Sequence, residues 1–161
     1  MYLNKPDCPF CWKIETIEEL GASDVVWRFP HSVALLGNWQ FYQGYCILVS
    51  RRHAKELNEL PADERRAYLE EMCLLAQAIS TCYRPHKLNY ELLGNQVPHL
   101  HWHLFPRYPD DPNRQAAVWL DIERALREDG AWRRRMETGR EERATTAANL
   151  RRTLQELGAP K

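Results

Sequence analysis

The chain has 161 residues, 44% of them hydrophobic and 27% charged, with 22 Lys and Arg set against 22 Asp and Glu. That length predicts a single domain, and the composition, with a mean hydropathy of −0.61, fits a packed core and excludes a disordered chain. Zero net charge removes a general field for polyanions, so no nucleic-acid partner is expected.

The N-terminal segment from Met1 to Cys8 carries no hydrophobic targeting core. The longest aliphatic run, Ile47-Leu48-Val49, falls far short of the ~18 apolar residues of a spanning helix. A cytoplasmic protein with no membrane partner is the expectation. Cys8-Pro-Phe-Cys11 then forms a turn, after which Ile14, Ile17 and Leu20 recur at helical spacing over 12–20, with Gly21 as the stop. Three β-rich segments follow at 25–29, 32–36 and 45–50, separated by Pro30, by Gly37-Asn38 and by Gly44. Short connections of this kind predict antiparallel neighbours.

Pro61 opens a long helix with Leu69, Met72, Ala76, Ile79 and Tyr83 on one face and Arg65, Arg66, Glu70 and Glu71 on the other. Two further strands are predicted at 88–93 and 99–105, joined by Gly94–Pro98 and closed by Pro106. Pro109, Asp110-Asp111 and Pro112 mark a linker, beyond which the chain reads as helical and arginine-rich to about Leu157, interrupted near Gly130 and Gly139. The predicted fold is α+β: an antiparallel meander of about five strands packed against the 61–83 helix, over residues 1–113, with a helical C-terminal extension over 114–161. Charge segregates along this division, with 11 basic and 14 acidic side chains in the first part and 11 and 8 in the second. Trp119, Leu120, Ile122, Leu126, Trp132, Leu150, Leu154 and Leu157 are too sparse for a second core and predict helices docked on the first domain or on a second subunit. Arg133-Arg134-Arg135 reads as a solvated helix face.

Five cysteines without a secretion signal predict reduced thiols. The histidines are concentrated, because His99, His101 and His103 alternate with Leu100 and Trp102. On a strand they share one face at roughly 6.6 Å spacing, backed by core. Three chemistries compete for such a row: exposed polar positions on a half-buried strand, a metal site built from imidazoles, and a nucleophilic imidazole positioned by its neighbours.

The run from Gly94 to Arg107, with its three alternating histidines followed by hydrophobic residues, resembles the signature of the histidine triad (HIT) family. The likeness extends to Lys87-Leu88-Asn89, to Arg51-Arg52-His53 and to Cys8-Pro-Phe-Cys11, over roughly residues 7–120. It implies a HIT-like fold, usually homodimeric. The activity it implies is hydrolysis or transfer at the α-phosphate of a dinucleoside polyphosphate, nucleoside phosphoramidate or related nucleotide, through a nucleotidyl-histidine, with no metal at the phosphate and no cofactor required for catalysis. His101 would be the nucleophile, the carbonyl of His99 would accept its ring N–H, and His103 would bond the phosphate oxygens or the leaving group. Asn95, with Gln96 beside it, and Asn89 would contact the substrate. Where the family places an acidic or amide residue on the ribose, this chain has Gly37, and Asn38 is the nearest candidate.

Some branches of the family pair such cysteines with two histidines on structural zinc, which would here be Cys8, Cys11, His53 and His99. A redox pair and two plain thiols remain as other readings of Cys8 and Cys11. Two other functional classes compete with the enzyme: a metal protein that uses the whole histidine row as ligands, and a non-catalytic nucleotide-binding module whose tail holds a partner.

Overall fold

The computed structural model describes residues 7–17, 24–127 and 130–161. Helix α1 (Pro9–Glu15) starts one residue after Cys8, with Pro9 at its first position, where a missing N–H costs nothing. The helix expected to begin at Trp12 therefore starts three residues earlier, inside the Cys-Pro-Phe-Cys run; Leu20 and the Gly21 stop lie outside the described residues.

Strands β1 (Val25–Arg28), β2 (Ser32–Leu36), β3 (Cys46–Ser50), β4 (Lys87–Glu91) and β5 (His101–Arg107) form one antiparallel sheet in the order β1-β2-β3-β5-β4. The first three form the expected meander. Beyond β3 the chain crosses through helix α2 (Ala62–Tyr83) and returns at the sheet edge as β4, so that β5 pairs on both sides and the simple meander ends there. This crossover places the histidine strand in the interior of the sheet.

β5 also begins later than expected. His99 donates its backbone N–H to Val97 O at 2.8 Å in a tight turn, and Leu100 N–H bonds Ala54 O while Ser50 N–H bonds Leu100 O. Regular pairing starts only at His101. The strand then runs through Pro106, which lies past the end of the β3 ladder at Cys46↔Leu104 and so costs that ladder no bond.

The two sheet faces are covered differently. Ala34, Leu36, Cys46, Leu48 and Leu104 face α2 through Leu75, Ala78 and Ile79, and face helix α5 (Arg143–Glu156) through Ala147, Leu150 and Leu154. Leu150 and Leu154 are fully buried in this main core. On the other face α1 covers one end, with Phe10, Cys11 and Ile17 against Val33, Leu35 and Val49. Helices α3 (Val118–Arg127) and α4 (Ala131–Glu137) cover the far end, with Val118, Ile122, Ala125 and Met136 against Tyr42, Tyr45 and Phe105. Arg151 donates two hydrogen bonds to Val25 O and Arg143 donates to Leu36 O and Gly37 O, so α5 also caps backbone carbonyls of β1 and β2. Among the described residues no helix is long and apolar enough to cross a membrane.

The buried stripe of α2 differs from the predicted one. Tyr68 and Glu71 turn inward and Leu69 is only half-buried. The reason is polar. Tyr68 O–H donates to Leu48 O at 3.0 Å, while the Glu71 carboxylate accepts from Ser32 Oγ at 2.5 Å and from His31 N–H at 3.0 Å. Burial pushes the Glu71 carboxyl above its ordinary value.

Candidate active site

On β5 the alternation places His101, His103, Phe105 and Arg107 on the face left open between α1 and α3, opposite Leu104. His101 stands across from Val49 and His103 across from Ile47 and Glu91. The rings of His101 and His103 are 4.8 Å apart and nearly perpendicular, and Phe10 of α1 covers His101 at 4.6 Å. Both imidazoles are buried, which lowers their basicity: His101 lies below its ordinary value, and His103 falls to about 3 through burial and the neighbouring His101. Both are neutral at pH 7.

The carbonyl of His99 fixes the tautomer of His101. It lies 2.6 Å from Nδ1 and can only accept, so Nδ1 carries the hydrogen and Nε2 keeps a bare lone pair. His103 is held from its other flank. Nδ1 lies 2.7 Å from the hydroxyl of Tyr45, whose ring stacks on Phe105 with centroids 3.9 Å apart. Trp119 of α3 meets His103 edge-on at 5.2 Å and donates its indole N–H to Glu91 Oε2. The room for Tyr45 comes from Gly37, where a Cβ would lie 2.1 Å from the tyrosine ring.

His99 belongs to a second cluster. Its Nδ1 is 3.4 Å from Cys8 Sγ and 3.6 Å from Cys11 Sγ, and His53 Nδ1 is 3.3 Å from Cys11 Sγ. The four donor atoms lie within 4.8 Å of one another. His99 Nε2–H donates to Ser50 O at 2.7 Å, which leaves Nδ1 unprotonated and turned to the sulfurs. A tetrahedral zinc with ~2.3 Å bonds to sulfur and ~2.0 Å bonds to nitrogen has S···N edges of about 3.5 Å. The donor set therefore fits zinc in identity, number and spacing, and among the described residues it takes only His99 from the row. Burial lowers the His99 imidazole to about 4, which keeps it in the ligand-competent neutral form.

The amides predicted for substrate are placed less uniformly. Asn89 Oδ1 accepts from Arg107 Nη1 at 3.1 Å, at the side of a groove of about 470 Å³ that also includes Lys87, Glu91 and Arg114. Asn95 and Gln96 are exposed in the β4–β5 loop and Asn38 is exposed in the β2–β3 loop. Among the described residues no hydrogen bond ties the side chains of these three to the histidines. Tyr45 is absent from the sequence-derived site, since its alternation marks it only as a strand residue. Trp119, for which packing was the expected role, does pack, and the surface it packs on is His103.

An antiparallel sheet with a helical back layer carries paired imidazoles on one face and a Cys2His2 donor cluster at one end, and this pairing marks the face as the candidate active site. The HIT domain profile matches residues 20–110, and the chain belongs to the HIT family. An uncharacterized HIT-like protein of Methanocaldococcus jannaschii is 27% identical over 108 residues, 65% of this chain and 81% of its own length. A solved histidine triad protein from Marinobacter aquaeolei is 28% identical with a TM-score of 0.66, the match covering 87% of this chain and 95% of that one. One from Sinorhizobium meliloti is 26% identical with the same TM-score, covering 86% and 93%.

Proposed function

We propose that the chain is a nucleotide hydrolase or nucleotidyltransferase that works through a covalent nucleotidyl-His101. The observation that carries this reading is the 2.6 Å bond from His101 Nδ1–H to His99 O, which leaves the Nε2 lone pair free on the open face. In the first step Nε2 bonds to the α-phosphorus and the bond to the leaving group breaks, its electron pair departing with that group. The positive charge that develops on the ring is shared with the His99 carbonyl through the Nδ1–H bond. In the second step a water oxygen bonds to phosphorus, the N–P pair returns to Nε2, and the water's proton passes to solvent with release of the nucleoside monophosphate. An alcohol or phosphate acceptor in place of water would give transfer. Dinucleoside polyphosphates and nucleoside phosphoramidates are the substrate classes with the required α-phosphorus.

Cys8, Cys11, His53 and His99 would hold a structural zinc ion, whose contribution is to tie α1 and the β3 end to the turn before β5. The remaining work falls to the chain's own groups: Phe10 and Trp119 exclude water from the two sides of the imidazole pair, and His103 supplies a polar contact beside the nucleophile. Use of all three triad histidines on one ion is disfavoured, because the unprotonated Nδ1 of His99 faces the Cys8 and Cys11 sulfurs and its Nε2–H is given to Ser50 O, which turns its ligating nitrogen away from His101 and His103. The test is replacement of His101 by Ala, assayed with a diadenosine polyphosphate and an AMP amidate. Turnover should vanish while the fold persists.

A further inference from the structure

We propose that Tyr45 is a positioning residue for His103: its hydroxyl donates to Nδ1 and so keeps the ring hydrogen on Nε2. The contact itself, at 2.7 Å, allows two assignments. If Nδ1–H were the donor, the phenolic hydrogen would be buried without an acceptor, since Tyr45 is 2% exposed and, among the described residues, its hydroxyl has no other hydrogen bond. If the phenol is the donor, both groups are satisfied. Burial also drives the Tyr45 hydroxyl well above its ordinary range, so it keeps its proton and remains a donor at neutral pH.

The surroundings hold this arrangement in place. Tyr45 stacks on Phe105, and the Gly37 backbone sits so close to the tyrosine ring that a Cβ there would lie 2.1 Å from it. On the other flank Trp119, tethered to Glu91, meets the imidazole at 84°, which leaves the ring little freedom to flip. The consequence is a pair of neighbouring histidines with opposite polarity. His101 presents a bare Nε2 lone pair because its Nδ1–H is given to a carbonyl. His103 presents Nε2–H because its Nδ1 accepts from a phenol. A nucleophile beside a neutral hydrogen-bond donor suits a phosphoryl centre, where charge grows on oxygen as the nitrogen attacks. That use of the donor rests on the nucleotidyl-transfer reading; the tautomer itself rests on the contact and on the burial of the phenol.

The test combines a spectrum with kinetics. Two-bond 1H–15N correlation of the full-length protein at neutral pH should show His103 protonated on Nε2 and His101 protonated on Nδ1. Tyr45→Phe keeps the stack on Phe105 and removes the hydroxyl, so His103 should become a tautomer mixture. With an AMP amidate as substrate, kcat should fall about tenfold, less than the ~10²–10⁴-fold of a side chain that itself transfers a proton in the transition state, while KM stays within about twofold because the donor acts on charge that develops in the transition state. A wild-type His103 protonated on Nδ1 would overturn the assignment without any variant, even if Tyr45→Phe failed to fold. An unchanged His103 spectrum in Tyr45→Phe, or a change confined to KM, would overturn the positioning role. Failure of the nucleotidyl-transfer reading would look different, as turnover surviving His101→Ala with the His103 spectrum as expected.

Discussion

His99 and His101, two residues apart, are joined by a 2.6 Å hydrogen bond from the ring Nδ1–H of His101 to the backbone carbonyl of His99, while the ring of His99 faces Cys8 and Cys11. One residue therefore serves both sites: its side chain completes the Cys2His2 cluster and its carbonyl sets the tautomer of His101. Any change that moves His99 moves both.

Cys11→Ser is predicted to lose metal and stability together. The thiolate is the better zinc ligand, and Cys11 Sγ lies against both His53 and His99. Zinc content by elemental analysis should fall from one per chain to below about a tenth, with a loss of about 3 kcal/mol seen as about 6–12 °C in Tm. An unchanged Tm in Cys11→Ser, or a wild-type protein that purifies without metal, would count against a structural zinc.

Gly37→Ala should destabilise the fold by about 1–3 kcal/mol, because the added methyl overlaps the Tyr45 ring, which is buried and stacked on Phe105 with little room to shift. The clash is specific, which makes it testable by a double-mutant cycle. In a Tyr45→Ala background the Gly37→Ala cost, measured by urea titration, should drop to a few tenths of a kcal/mol. An equal cost in both backgrounds would place the strain elsewhere.

Arg107 is 2% exposed and donates to Asp111 Oδ2, Asn89 Oδ1, Asn113 O and Ala116 O. It thereby ties the 109–117 segment, and with it the start of α3, to the end of β5. Arg107→Ala leaves the Asp111 carboxylate buried without its partner and should cost about 3–5 kcal/mol. Arg107→Lys should not restore the loss, since one ammonium cannot reproduce the planar fork. Full rescue by Lys in a denaturation experiment would contradict this.

Stability should depend on pH through Glu71. Burial raises its folded carboxyl above the ordinary value of 4.5, so the folded state binds this proton more readily than the unfolded chain does. The contribution is fully present below pH 4.5 and is lost as pH rises through the folded value. Glu71→Gln, which keeps an acceptor for Ser32 or His31, should therefore gain stability relative to wild type as the pH is raised from 4 to 8. Parallel denaturation curves across that range, with no change in the difference, would refute the assignment.

The strands were legible because Val33, Leu35, Ile47 and Val49 alternate with residues of the opposite face, a period that any half-buried strand must show. The position of β4 was not, because periodicity is silent about which edge a strand joins after a 22-residue crossover helix. The inward turn of Glu71 was hidden for a related reason: a carboxylate reads as solvent-facing unless the partners that satisfy it, here Ser32 and His31 on another element, are already known. In the site, the alternation of His101 and His103 is local and could be read directly. His99 sits in an irregular turn, and its convergence with Cys8, Cys11 and His53 spans 91 residues of sequence. That grouping came from family resemblance and not from spacing. Tyr45 reaches His103 only through tertiary packing over a glycine, which no local pattern encodes.

The proposed chemistry requires a bond between His101 Nε2 and phosphorus. It is tested most directly by mixing the protein with a diadenosine polyphosphate or AMP amidate labelled at the α-phosphate, quenching in base, and locating the label by peptide mass spectrometry. An acid-labile, base-stable nucleotidyl adduct on His101 should form faster than turnover and be absent in His101→Ala, which should also be inactive. Turnover by His101→Ala, or an adduct on any other residue, would contradict it.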